Sequence, residues 1–262
     1  MDNILQKIQK IEYDILKELD RICKKHNIKY FLGQGTLLGA AKYKGFIPWD
    51  DDIDLLIPYD ELERLIKVFP QETNKNYMIT NHKIEKHYPL PWAKIRALDT
   101  LSRPKRYKEL PINWGICIDL FPIYPLSNFK PLRKLEILSF KIANKMLMAE
   151  MTKYEDNHGA LERFLEKIPI CIRHLFLDSV TTMLSLHNKS EYVWIGCKGG
   201  KVVKYDMIFA EEKQLTFEDE TFAVPSDYHN YLTLNYGDYM APLPEDQQKG
   251  HELKLGEIEW KL

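Results

Sequence analysis

Four aspartates lie close together in the sequence, and their spacing suits a charged site at the edge of a strand. They are Asp50, Asp51, Asp52 and Asp54. Side chains alternate along an extended chain, so a strand starting here places Asp52 and Asp54 on one face. Two unit charges about 4 Å apart repel by roughly 4 kcal/mol at an effective dielectric of about 20. A divalent cation such as Mg²⁺ relieves this repulsion and also binds phosphate oxygens. We therefore expect a metal-assisted site for a phosphorylated ligand; the alternative is a solvated acidic turn before an ordinary strand.

A glycine-containing turn lies upstream, formed by Gly33, Gln34, Gly35 and Thr36. Glycine allows positive φ and close backbone approach, so amide groups of this turn could face a phosphate at the start of a helix. Thr36 would either cap that helix or bind the phosphate. The turn lacks the lysine of a P-loop and the third glycine of a dinucleotide-binding fingerprint, so an ordinary turn is the alternative.

The chain resembles the LicD family, the phosphocholine transferases related to fukutin. The resemblance covers residues 30–122 and roughly the last forty residues, and leaves the middle of the chain unmatched. The segments that carry it are residues 33–40, 45–54, 92–100, 115–122 and 235–240, with Pro242, Pro244 and His251.

The resemblance implies a nucleotidyltransferase-like α/β (α+β) fold, with a mixed sheet, flanking helices and a third carboxylate on a neighbouring strand. Asp119, the single charge in the apolar run 116–121, fits that third place. In this interpretation Asp52, Asp54 and Asp119 bind one or two Mg²⁺ or Mn²⁺ ions, and Asp119 takes the proton of an acceptor hydroxyl. The alternative is a structural Asp119 paired with a nearby Arg or Lys.

Two cations, Lys94 and Arg96, alternate with apolar residues in the segment 92–97. On a half-buried strand both would emerge on the same face. Arg suits bidentate contact with phosphate and Lys supplies a mobile charge, so the pair could balance the donor's phosphates. Salt bridging to the acidic cluster is the alternative, and one set of cations can do both.

The resemblance further implies transfer of phosphocholine from CDP-choline to a sugar hydroxyl of a glycan or glycolipid precursor, of the teichoic acid or lipopolysaccharide type, with release of CMP. A transferase of another CDP-activated alcohol, a nucleotidyltransferase and a non-catalytic nucleotide- or glycan-binding module are the alternatives. Aromatic faces recognise quaternary ammonium groups, and Trp49, Trp92 and Trp114 lie nearest to the site motifs in sequence. The predicted substrate-binding residues are Gly33, Gln34, Gly35, Thr36, Trp49, Asp51, Lys94, Arg96 and His251.

Length and composition limit the classes of protein to which this chain can belong. The chain has 262 residues, of which 45% are hydrophobic and 29% charged, enough for a sizeable core. Its net charge of −1 gives no electrostatic footprint for nucleic acid, and we expect no nucleic-acid partner. We see neither a signal-peptide pattern nor a run of about twenty apolar residues, and therefore expect a cytoplasmic protein, with peripheral contact at the inner face of the membrane as an option.

We expect three parts: a catalytic core at residues 1–130, a helical insertion at 131–190, and a C-terminal part of the catalytic domain at 191–262. Hydrophobic periodicity predicts two or three helices in the insertion. They would either pack over the sheet or, as basic amphipathic helices, contact a membrane or an acceptor.

Periodicity and turn residues predict the remaining elements. Ser226 is the expected cap of the C-terminal helix, which precedes a closing turn at 236–239. The expected elements are helices through about 25, at 37–43, 59–69 and 226–234, strands at 30–32, 52–57, 77–81, 91–97 and 115–121, and a hairpin at 214–224.

Overall fold

The fold is organised around one long apolar strand, β6 (Cys117–Leu126). In the computed structural model β2 (Asp54–Pro58) runs parallel along one edge of β6. The other edge pairs with β4 (Ala93–Ala97) along its first half and with β7 (Tyr192–Ile195) along its second half, both antiparallel. The described residues are 2–73, 75–155, 159–187, 189–197, 199–244, 248 and 258–261.

Three short strands complete a seven-stranded mixed sheet. They are β1 (Phe31–Leu32) beside β2, β3 (Tyr77–Thr80) beside β4, and β8 (Val202–Lys204) beside β7. The expected α/β (α+β) class with a mixed sheet and flanking helices is thereby confirmed.

Eight helices and two small sheets surround this core in the part of the chain that the structure describes. The helices are α1 (Asp2–His26), α2 (Gln34–Tyr43), α3 (Tyr59–Glu72), α4 (Lys130–Thr152), α5 (Ala160–Glu166), α6 (Ile170–Ser185), α7 (Tyr205–Phe209) and α8 (Tyr228–Tyr236). The small sheets are β9 (Lys213–Phe217) with β10 (Glu220–Val224), and β5 (Leu101–Pro104) with β11 (Ile258–Lys261); a short 3₁₀ helix spans Lys105–Tyr107.

The first helix forms because its apolar residues recur at helical spacing and find a core. Ile15, Leu16, Leu19 and Ile22 are fully buried in the main hydrophobic cluster, together with residues of β2, β6 and α3. Fully burying one such side chain contributes about 1.5–3 kcal/mol. This packing holds α1 against the sheet that carries the predicted site.

The helical insertion builds a second core on the far half of β6. Phe140 of α4 and Leu177 of α6 pack with Tyr124 and Trp194 of the sheet. The two helices run antiparallel, because Glu136 pairs with His187 near one end and Glu150 pairs with Arg173 near the other. Packing over the sheet, one of the two expected roles of this region, is therefore confirmed.

Several boundaries differ from the expectations. Helix α8 begins at Tyr228 with Asp227 as its cap, since the Asp227 side chain accepts from the Asn230 amide. Ser226, the expected cap, instead accepts from the Glu211 amide. The strand expected from residue 52 begins at Asp54, and the helix expected from residue 37 already begins at Gln34.

No helix in the described ranges combines the length and apolar character that crossing a bilayer requires.

Candidate active site

Three charged side chains lie in one row across the centre of the sheet. Asp54 of β2 and Asp119 of β6 are register partners, and Asp119 is also the register partner of Lys94 on β4. Register partners on adjacent strands project to the same face. The resemblance to a known family had suggested that Asp54 and Asp119 are neighbours, and the strand pairing brings them together.

Asp119 is held by two donors from the segment before and within β4. The Lys94 Nζ lies 2.7 Å from the Asp119 carboxylate, and the Trp92 indole Nε1 donates to it at 2.7 Å. Burial lowers the pKa of Lys94, but the charge of Asp119 outweighs this and raises it above its ordinary value, so Lys94 stays charged. The salt bridge that a structural Asp119 requires is thus present.

Asp54 experiences more negative than positive charge. Burial raises its pKa well above the ordinary value, and the neighbouring charges of Asp52 and Asp119 raise it further, while Lys94 opposes them. A cation with a preference for oxygen ligands fits such a set of carboxylates. Among the described residues, however, no group of three or more His, Cys, Asp or Glu side chains has metal-binding geometry. Metal binding by Asp52, Asp54 and Asp119 stays a prediction.

Thr36 positions the start of β2. Its hydroxyl oxygen accepts a hydrogen bond from the Asp54 amide at 2.8 Å, and the side chain is buried. Thr36 does not cap α2, because the cap of that helix is Gly33, without a side-chain hydrogen bond. Phosphate binding by Thr36 stays a prediction. Asp50 and Asp52 precede the strand, so the alternation argument applies to Asp54 but not to them.

The glycines of the upstream turn serve close packing. A Cβ on Gly33 would lie 2.7 Å from Leu56 Cγ, and one on Gly35 would lie 2.9 Å from Asp50 Oδ2. The close approach seen here is to Leu56 and Asp50 of the chain itself, and approach to a phosphate stays a prediction. The expected positive φ is not found at Gly33, which is extended, whereas Gln34 has the left-handed φ of 41°. The Gln34 amide nitrogen donates to the Tyr231 hydroxyl at 2.9 Å and so ties the turn to α8.

Arg96 shares a strand face with Lys94 but is enclosed. Only 4% of it is exposed, and its guanidinium donates to the Gly115 carbonyl at 3.1 Å. Its Nε and the buried Tyr88 hydroxyl have no hydrogen-bond partner among the described residues. Buried polar atoms without partners are costly. Phosphate binding by Arg96 stays a prediction.

The other predicted substrate-binding residues lie in different settings. Trp49 is half-buried and packs edge-on against Tyr43, with ring centroids 6.2 Å apart. Asp51 is half-buried and lies close enough to Glu12 to raise the pKa of that residue. Trp114 is stacked against Tyr107. His251 lies outside the described residues.

Helix α1 contributes a carboxyl group that the sequence analysis missed. Glu12 is 3% exposed, and its Oε2 has no hydrogen-bond partner within the described chain. Burial raises its pKa well above the ordinary value, and Asp52 is the next largest cause. One turn earlier, Gln9 donates to the Asp50 carbonyl at 2.8 Å, so α1 covers the acidic segment. The available signal was an acidic residue on the apolar stripe that includes Ile8 and Ile15.

Helix α8 closes another side of the site with tyrosines. Burial raises the pKa of Tyr236, and the negative charges of Asp54, Asp50 and Asp52 raise it further. Burial likewise raises the pKa of Tyr231, with Cys197, Tyr236 and Asp54 adding to the effect. The closing turn at 236–239 therefore places Tyr236 near the carboxylates with its side chain partly covered, since 43% of the residue is exposed, and Asp238 is exposed as well.

The chain is similar in sequence to known proteins along almost its whole length. The profile of the family described as "LicD/FKTN/FKRP, nucleotidyltransferase domain" matches residues 27–141. A relative named lipopolysaccharide cholinephosphotransferase LicD, from Haemophilus influenzae, is 33% identical over 273 aligned residues, which cover 95% of this chain and 96% of the relative. An uncharacterized protein from Rickettsia prowazekii is 37% identical over 126 residues, 45% of this chain and 46% of that protein. The chain therefore belongs to the LicD family and is a LicD-type transferase.

Proposed function

We propose that this protein transfers phosphocholine from CDP-choline to a sugar hydroxyl of a cell-surface glycan precursor, of the lipopolysaccharide or teichoic acid type, and releases CMP. The row formed by Asp54, Asp119 and Lys94 is the observation that carries the chemistry. The name of the Haemophilus influenzae relative supports phosphocholine as the transferred group and lipopolysaccharide as one acceptor class.

The carboxylates would hold the divalent cation that the reaction needs. Asp54 and Asp52, with Asp119, supply hard oxygen ligands, and the raised pKa of Asp54 reflects negative charge that a cation would compensate. A bound Mg²⁺ or Mn²⁺ ion neutralises charge on the donor's diphosphate and makes its phosphorus more electrophilic. The Thr36 hydroxyl holds the Asp54 backbone in place for this role.

In this proposal Asp119 would act as the general base. In the proposed reaction the acceptor oxygen bonds to the choline-bearing phosphorus, its proton passes to Asp119, and the bond to the bridging oxygen breaks so that CMP leaves. Trp92 and Lys94 hold the carboxylate in position through their hydrogen bonds to it. Positioning and charge neutralisation supply most of the rate enhancement in such transfers.

Calorimetric titration of CDP-choline into the protein, with and without Mg²⁺, tests the proposal. We expect Mg²⁺-dependent binding that is lost in Asp52→Asn and Asp54→Asn. Asp99→Asn is the matched control, because Asp99 is an exposed aspartate in the turn after β4. The control should bind like the wild type.

The same titration separates the alternatives. Absence of binding by the folded wild type would contradict CDP-choline as the donor, and a panel of other CDP-alcohols and nucleoside triphosphates would then identify the donor class. Binding without transfer to any glycan precursor, in the presence of Mg²⁺ or Mn²⁺, would favour a non-catalytic module.

A further inference from the structure

Helix α4 is apolar on two opposite faces. Its inner face packs Phe140, Ala143 and Leu147 into the second core. Its outer face presents apolar side chains that are between 39% and 57% exposed. These are Leu132, Leu135, Leu138 and Ile142. Their spacing of three or four residues places them in one stripe along the helix.

Neighbouring segments of the insertion expose further large apolar side chains. Phe129, just before α4, is 67% exposed, Leu175 on α6 is 66% exposed, and Leu186, just after α6, is 71% exposed. Phe164 on α5 is 62% exposed. Scattered single apolar residues on a surface are normal, but a stripe with such neighbours is typical of an interaction surface. All of these side chains are at least 39% exposed among the described residues.

The acidic and basic side chains of α4 lie on different faces of the helix. Its two carboxylates, Glu136 and Glu150, are buried and form ion pairs with His187 and Arg173. Its exposed charged residues are all basic, and they are Lys130, Lys134, Lys141 and Lys145. Exposed cations beside an apolar stripe complement a surface that is apolar inside and anionic outside.

We propose that the outer face of α4 binds the surface of an anionic lipid bilayer. The apolar stripe would enter the boundary between headgroups and acyl chains, and the lysines would contact lipid phosphates. A second copy of this chain fits less well, because in a two-fold dimer this face would meet itself and set lysines opposite lysines. Membrane binding would leave the protein peripheral.

Cosedimentation of the full chain with lipid vesicles tests this proposal. We expect binding to phosphatidylcholine vesicles that contain phosphatidylglycerol, weaker binding to phosphatidylcholine alone, and weaker binding at high salt. Ile142→Glu should weaken binding roughly tenfold or more. Ile84→Glu is its matched control, since Ile84 is 44% and Ile142 is 45% exposed, and Ile84 lies outside the insertion.

A second pair of variants tests the charge contribution. Replacing Lys130, Lys134 and Lys141 by Gln should weaken binding to anionic vesicles by roughly tenfold or more and reduce its salt dependence. The control is the same triple change at Lys67, Lys86 and Lys108, which are exposed outside the insertion. It should bind as the wild type does.

Two results would overturn the proposal. One is absence of wild-type binding to anionic vesicles; the other is a lipid-free dimer that Ile142→Glu dissociates, which would assign the face to self-association. Calorimetry with CDP-choline on the same variants should be unchanged, so failure here is distinguishable from failure of the proposed donor.

Discussion

Two buried acidic environments in this protein have opposite character. In the insertion, Glu150 forms ion pairs with Arg173, Lys153 and His87. Burial raises its pKa, but hydrogen bonds from Lys153, His87 and Arg173 more than offset this and lower it to about 2. At the sheet, burial and like charges raise the pKa of Asp54 and of Glu12 well above the ordinary value.

This difference in local charge distinguishes carboxylates that are buried for structural reasons from carboxylates that are buried at a functional site. Removing a carboxylate from water is costly, and the insertion offsets this cost with cations of its own. In the sheet, Lys94 offsets the same cost for Asp119. Around Asp54, however, the negative charges outnumber the positive ones. Strongly perturbed groups of this kind cluster at functional sites. Substitutions at the sheet should therefore lower activity and leave stability intact, whereas substitutions at the buried ion pairs of the insertion should lower stability and leave activity intact.

The largest effect is expected for Asp54→Asn. We expect a loss of about 10²–10³-fold or more in the transfer rate, since the change removes a carboxylate from the reacting centre. The thermal midpoint should stay equal or rise, because a source of repulsion is removed. Kinetic assays and thermal melting measure both. A large fall in the midpoint would instead make Asp54 a structural residue.

Glu150→Gln should have the opposite effect, a loss of stability without a loss of ligand binding. It leaves Arg173 buried without its carboxylate, and breaking a buried pair in this way costs about 3–5 kcal/mol. Urea unfolding should show that loss, while CDP-choline binding per folded molecule stays the same. Glu162→Gln is the control, because the pair of Glu162 with Lys145 is solvent-exposed in part and contributes little. Equal stability of the two variants would contradict the comparison.

The pH dependence of stability should differ in sign for the two regions. The pKa of Glu150 is lower in the folded than in the unfolded protein, so its contribution is present above the ordinary value of 4.5 and is lost as pH falls towards about 2. The pKa of Glu12 is higher in the folded protein, so its contribution is lost as pH rises above the ordinary value.

Urea titrations from about pH 2 to about pH 8, with a chelator present, measure this contrast, because the pKa of Glu150 is lowered to about 2. Glu150→Gln should flatten the acidic limb of the stability curve, and Glu12→Gln should raise stability at neutral pH. A Glu12→Gln protein less stable than wild type at neutral pH would show that Glu12 is ionised and paired.

The smallest effect is expected for Thr36→Val. The substitution keeps the shape of the side chain but leaves the Asp54 amide without its acceptor, which costs about 1–3 kcal/mol. We expect a transfer rate lowered by up to about tenfold with CDP-choline affinity changed less. Thr182→Val, at an exposed position on α6, should change neither. An unchanged rate would mean that β2 alone positions Asp54.

Local patterns in the sequence predicted most of the helices and strands. Periodicity predicted α1 to within a residue or two, and strand alternation predicted β3, β4 and the start of β6. The short strands β7, β8 and β11 were not predicted, because three or four residues carry too little pattern and pairing with distant segments defines them. The actual end of β6 at Leu126 depends on its pairing with β7.

By itself the sequence determined the family, the apolar stripes and the carboxylates of the site, because these depend on residue types and spacing along the chain. Only the tertiary structure decided which groups meet: Glu12 beside the aspartates, Thr36 on the Asp54 amide, and Lys94 on Asp119. The same holds for the charges of the insertion, where burial of Glu136 and Glu150 leaves the outer face of α4 basic. These pairings join residues distant in the chain, and no local preference encodes them.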